Sequence, residues 1–166
     1  MTPSGQGDLE RAIGCSLRRP APAAGPRAAR RLPRFLRQFA ATEDTQALDD
    51  IIAKYDEAWN TRDASRRREL LEEALSVECE LVEPRGRFHG RDSVLQRIEG
   101  FSSRFPGARV DLTTKVDEHN GIARYGWRIV DHDGRSLLDG IDVVERAADG
   151  RLRRVVMFFG SLETIE

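Results

Sequence analysis

The sequence predicts an α+β fold in which N-terminal helices pack on one face of a strongly curved antiparallel sheet. Two observations carry this prediction. Apolar residues recur at helical spacing through much of the stretch from 46 to 105, and three turn pairs, Asn120-Gly121, Asp133-Gly134 and Asp149-Gly150, divide the remainder into extended runs. Helices gathered early and strands gathered late is the order of an α+β domain rather than of alternating βαβ units. The 166 residues, 39% hydrophobic and 33% charged, suffice for one domain with its own core.

The first helix is expected at about 46–60, where Leu48, Ile51, Ile52, Tyr55 and Trp59 share a stripe and Asp49 and Asp50 lie near the positive N-terminal end. Asp63 is placed to cap a second helix from Ala64 to Leu75, with Leu70, Leu71, Ala74 and Leu75 facing inward. A strand from Val77 to Glu83 follows, in which Val77, Cys79, Leu81 and Glu83 alternate with Glu78 and Glu80. A third helix is expected after Gly90, with Asp92 as its cap, Val94, Ile98, Phe101 and Phe105 inward, and Pro106-Gly107 as its stop. Four extended runs, about 109–118, 122–131, 136–147 and 151–162, then form an antiparallel meander. Their turn pairs tolerate positive φ at both central positions.

Residues 1–44 read differently. Between Arg11 and Thr42 there are eight arginines, four prolines and no acidic residue, a composition that buries too little apolar surface to offset the entropy of ordering. A disordered arm is expected there, followed by one domain over 45–166. A transit peptide, a basic arm and translated leader remain open readings of the arm. Only two of the 27 basic residues are lysines, Lys54 and Lys115, so arginine is favoured throughout and carries little targeting information.

The domain resembles the NTF2-like superfamily, and within it the SnoaL-like type that includes polyketide cyclases and ketosteroid isomerase. The residues that carry the resemblance are Tyr55-Asp-Glu-Ala-Trp59-Asn60-Thr-Arg-Asp63, Val82-Glu83-Pro84-Arg-Gly86, His89-Gly90-Arg91-Asp92, Gly140-Ile141-Asp142 and Asp149-Gly150-Arg151. The resemblance implies a cone whose mouth opens on a pocket between the concave sheet face and the helices, and a homodimer formed through the sheet. It also implies three catalytic positions. Tyr55 stands where ketosteroid isomerase has its oxyanion-binding tyrosine, Glu83 where it has a general-base aspartate, and Asp142 where it has a protonated aspartate that donates to the oxyanion.

The residue types suit that chemistry on physical grounds. Proton abstraction beside a carbonyl needs a base within reach of the carbon acid and donors aimed at the enolate oxygen. Glu83 and Asp142 fall on apolar strand faces, where burial raises a carboxyl pKa, and Tyr55 falls on the inward stripe of the first helix. Trp59, Phe88, His89, Phe101, Phe105, Trp127 and Phe158 are the expected substrate-binding residues. A structural reading stands beside this one: the aromatics fill a core, Glu83 pairs with Arg85 or Arg87, and Asp142 accepts from Arg128 or Tyr125.

Several classes are excluded or disfavoured. The limonene epoxide hydrolase pattern fails because the run 155–159 carries no acid. No phosphate loop, nucleophile elbow, His-Glu-x-x-His or dinucleotide fingerprint occurs, and no Cys/His cluster has zinc spacing. No metal and no cofactor are therefore expected. No stretch approaches the roughly 20 apolar residues of a membrane span, the mean hydropathy is -0.53, and a cytoplasmic location is expected. The acidic domain argues against nucleic-acid binding through the cone. The expected partners are a small apolar molecule and a second copy of the chain. A non-catalytic ligand-binding or dimeric interaction module is the alternative function.

Overall fold

The computed structural model describes residues 43–160, so the expectation for the arm lies outside the described residues. Helix α1 (Glu43–Asn60) turns Leu48, Ile52, Tyr55, Ala58 and Trp59 inward, all buried. Helix α2 (Ala64–Ala74) begins as expected at Asp63, whose carboxylate accepts from the backbone N–H groups of Ser65 and Arg66 at 2.9 and 3.1 Å. The buried Arg67 locks the two helices together. Its guanidinium donates to the carbonyl oxygens of Ala58, at 3.1 Å, and Thr61, which the end of α1 leaves without helical partners.

Strand β1 (Leu75–Glu83) departs from the expected alternation at Val77, which is 65% exposed rather than inward. Its register against the last strand shifts between Leu75 and Glu80, and this bulge turns Val77 outward while Cys79, Leu81 and Glu83 stay buried. Strand β2 (Gly86–His89) folds back on β1, and helix α3 (Gly90–Arg104) follows without a loop. The cap expected at Asp92 is not one. The helix starts two residues earlier, His89 occupies the cap position with no side-chain bond, and Asp92 in the first turn meets Arg68 of α2 at 3.3 Å.

The remaining strands are β3 (Arg109–Leu112), β4 (Asp117–His119), β5 (Ile122–Val130), β6 (Ser136–Arg146) and β7 (Leu152–Phe159). The run expected as one strand over 109–118 is broken by Thr113 and Thr114. Thr113 N–H donates to the carbonyl of Gly126, and the Gly126 N–H donates to Thr114 Oγ1, both at 2.8 Å. A Cβ on residue 126 would lie 2.7 Å from Thr113 Oγ1, so this close approach requires glycine. Of the three turns, only Asn120-Gly121 has positive φ at both positions, 53° and 76°. The other two turns close between the carbonyls of Asp131 and Ala147 and the N–H groups of Gly134 and Gly150, with positive φ at the glycine alone.

The sheet order is β2-β1-β7-β6-β5-β3, with β4 also paired to β5. β1 runs parallel to β7 and every other pairing is antiparallel, so the sheet is mixed where a wholly antiparallel one was expected. Its concave face carries Leu81, Ala123, Tyr125, Trp127, Leu138, Val144 and Val155 against the helices. Asn60 ties α1 to β3: its amide donates to Val110 O and accepts from Val110 N–H, each at 2.8 Å. Among the described residues no helix is long and apolar enough to cross a membrane.

Candidate active site

Three separate elements bring Tyr55, Glu83 and Asp142 to one cavity. Tyr55 comes from the inward stripe of α1, Glu83 from the end of β1, and Asp142 from the middle of β6, opposite Tyr125 and Met157 in the sheet. The cavity measures about 30 Å³ and is lined mainly by apolar and aromatic side chains. That is room for roughly two waters. Trp59, Phe101 and Trp127, three of the expected binding residues, line it as well.

Asp142 is 2% exposed and accepts from Trp127 Nε1 at 2.6 Å and from the Tyr125 hydroxyl at 3.2 Å. Burial pushes its carboxyl pKa up to about 7; the two donors work against this rise and the neighbouring Asp56 carboxylate adds to it. A residue that exchanges its proton near neutrality is suited to acid/base work. The Trp127 bond depends on Gly140, directly opposite Trp127 on β6, where a Cβ would fall 2.1 Å from the indole ring. The requirement here is space, not backbone conformation.

Tyr55 is 2% exposed, and its hydroxyl is buried without a hydrogen-bond partner among the described residues. Burial raises its pKa well above the usual tyrosine value, and the Asp142 carboxylate raises it further. The phenol therefore keeps its proton and can donate it to a ligand. The Trp59 indole N–H is near enough to oppose that rise but makes no hydrogen bond and is also unpartnered among the described residues. An orphaned buried donor costs about 1–3 kcal/mol unless something fills its bonding capacity.

Glu83 is engaged. Its two oxygens accept from Nε and Nη2 of Arg97 at 2.7 and 2.9 Å, in the parallel two-bond geometry that suits a guanidinium and a carboxylate. The partner is thus Arg97 of α3, neither Arg85 nor Arg87, and the Glu83 side chain is fully buried. Arg87 pairs instead with Glu80, and Arg128 with Asp139 rather than Asp142. The Arg97 guanidinium also lies 5.9 Å from the Trp59 ring centre.

Four expected binding residues lie outside the cavity. His89 is exposed, 3.7 Å from Glu80 on the convex side, because the β1–β2 pairing places it opposite that glutamate. Phe158 is 56% exposed, since the inward positions of β7 are Val155, Met157 and Phe159. Phe88 and Phe105 line an outer groove beyond the Glu83–Arg97 pair. Sequence reasoning missed Arg97, Asp56, Met157 and Phe159, all of which line the cavity. Arg97 carried a signal: a charge three residues after Val94 and beside Ile98 interrupts the inward stripe of α3. Asp56 is partly buried, and burial with the nearby Asp111 carboxylate brings its pKa to about 6.

A family model described as SnoaL-like domain matches residues 51–155. A crystal structure of a presumed isomerase of the SnoaL-like family from Agrobacterium tumefaciens is 32% identical, covers 70% of this chain and 99% of its own, and superposes with a TM-score of 0.66. An NTF2-like protein of unknown function from Mesorhizobium loti is 19% identical over 74% of this chain and 98% of its own, with a TM-score of 0.56. A presumed SnoaL-like polyketide cyclase from Jannaschia is 14% identical over 72% and 90%, with a TM-score of 0.60. The last two show likeness of fold alone. No curated protein matches.

Proposed function

Since the chain belongs to the SnoaL-like domain family, we propose that it is a cofactor-independent isomerase or cyclase that moves a proton beside a carbonyl group. One observation carries this reading: an unpartnered buried phenol, a carboxyl with a pKa of about 7 and a second carboxylate line the same apolar cavity. In the proposed step Glu83 takes a proton from the carbon next to the carbonyl. The C–H electron pair delocalises onto the carbonyl oxygen, where the Tyr55 hydroxyl and protonated Asp142 donate hydrogen bonds. Return of the proton from Glu83 to another carbon completes an isomerisation; attack of the enolate carbon on a second carbonyl closes a ring, and the new alkoxide oxygen takes the proton from Glu83.

The alternative is a ligand-binding module without turnover. A specific observation favours it: Glu83 is occupied by both bonds to Arg97, as a structural ion pair would be. Exchange of α-protons of small ketones and enones in D₂O, followed by NMR, separates the two. Wild-type protein is expected to catalyse exchange, Glu83→Gln to abolish it, and Tyr55→Phe to slow it by roughly 10²- to 10³-fold. No exchange in the wild type, or equal exchange in Glu83→Gln, leaves the binding module as the function.

A further inference from the structure

The Glu83–Arg97 pair stands between two spaces. On one side is the inner cavity, and on the other an outer groove of about 530 Å³. Both partners line both spaces. The groove has an aromatic floor of Phe88, Phe101 and Phe105, and two further arginines at its margin, Arg85 and Arg104. Neither of these has a carboxylate partner among the described residues, whereas Arg68, Arg87, Arg124 and Arg128 are all paired. Three guanidinium groups against one carboxylate give the groove a net positive charge in a chain whose overall formal charge is -1.

The helix that forms one wall is shaped to match. Ser93, Arg97, Gly100 and Arg104 follow one another along a single face of α3, and a Cβ added at Gly100 would meet nothing within 4 Å. Glycine inside a helix costs about 1 kcal/mol relative to alanine. Here it leaves the wall bare between two arginines, above a floor of phenylalanines.

From this arrangement we infer that the substrate is a carboxylate-bearing aromatic or otherwise apolar compound whose carboxylate displaces Glu83 from Arg97. Its apolar body lies on the phenylalanine floor, its carboxylate takes the two-pronged bond of Arg97 with support from Arg104 and Arg85, and its carbonyl end reaches the inner cavity. The inference rests on the proposed acid/base reading of Glu83 and supplies what that reading lacks, a way to release the base. Both Glu83 oxygens are held by Arg97 in the free protein, so occupancy of Arg97 by the substrate carboxylate frees them to take a proton. Arg97 acts as a positioning and recognition residue, and it takes no proton.

The test compares 1-naphthylacetate with its neutral isostere 1-naphthylacetamide by calorimetry and by the fluorescence of Trp59, which neighbours Arg97. The full chain is expected to bind the carboxylate at least tenfold more tightly than the amide. Arg104→Gln and Arg85→Gln, at exposed positions, should each reduce that preference severalfold without lowering the melting temperature. Glu83→Gln should tighten carboxylate binding, since it removes the internal competitor for Arg97. Arg97→Gln should abolish the preference; if it fails to fold, the charge-balanced Glu83→Gln/Arg97→Gln pair serves instead. Equal binding of the two probes, or a preference that survives loss of Arg97, overturns the inference. Glu83-dependent exchange in neutral ketones without any carboxylate preference would overturn it and leave the proposed proton transfer standing. Carboxylate preference and tightening by Glu83→Gln, without exchange in any ketone, would instead remove the catalytic reading and keep the anion site.

Discussion

At the scale of single residues, Asp142 holds the most consequential balance. Burial raises its pKa to about 7 from the ordinary aspartate value of 3.8. Its native form thus binds its proton more tightly than the unfolded chain does. Stability from this group is fully present below the unfolded pKa and is lost as the pH rises through about 7. The loss is on the order of 4 kcal/mol as an upper figure, from about 1.4 kcal/mol per pKa unit. Asp142→Asn keeps an oxygen for the Trp127 N–H, and the Tyr125 hydroxyl can reverse to accept from the amide. Denaturant titrations between pH 4 and 8 should therefore show a steeper fall for the wild type than for the variant, with the variant more stable above pH 7. Parallel curves would remove Asp142 as the titrating group. Its inward direction was legible in the alternation of Leu138, Gly140, Asp142 and Val144. The Arg97 pairing of Glu83 was not, because it joins β1 to a helix 14 residues away and no local pattern sets which arginine arrives.

At the scale of elements, the sequence signals worked where local chemistry decides the outcome and failed where the sheet does. Asp63 caps α2 because a carboxylate two residues ahead of free N–H groups needs nothing else. Val77, in contrast, is turned outward by a bulge defined by β7, some 75 residues later, and the break after Leu112 depends on Gly126 in the neighbouring strand. The β5–β6 ladder contains another such dependence, at Gly140. A methyl group there would collide with the Trp127 ring and lie 2.6 Å from the Phe158 carbonyl, which is backbone and cannot rotate away. Gly140→Ala is expected to lower stability by about 1–3 kcal/mol, the usual range for overpacking. It should also shift Trp127 fluorescence, because the indole must leave Asp142. An unchanged melting curve with unchanged emission would show that the strand gives way without disturbing the site.

At the scale of the whole molecule, the convex sheet face bears the mark of an unsatisfied surface. Val82, Val143 and Val156 form a row across β1, β6 and β7, and Ile141 lies opposite the exposed Phe158. Charged pairs surround this patch, among them Arg124 with Asp117, Arg128 with Asp139 and Arg154 with Glu80. The expected outcome in sedimentation at micromolar concentration is a homodimer, converted to monomer by Phe158→Asp with no loss of helical content. A wild-type monomer would discard the dimer and leave the active-site proposals intact. The Asn60 amide bears on how copies can meet. By taking both the N–H and the carbonyl of Val110, it occupies the groups through which an outer strand would recruit another strand. At the opposite rim, β2 is only four residues long and carries an arginine and a histidine. With one margin stoppered by a side chain and the other short and charged, the sheet resists growth into a continuous cross-molecule ribbon.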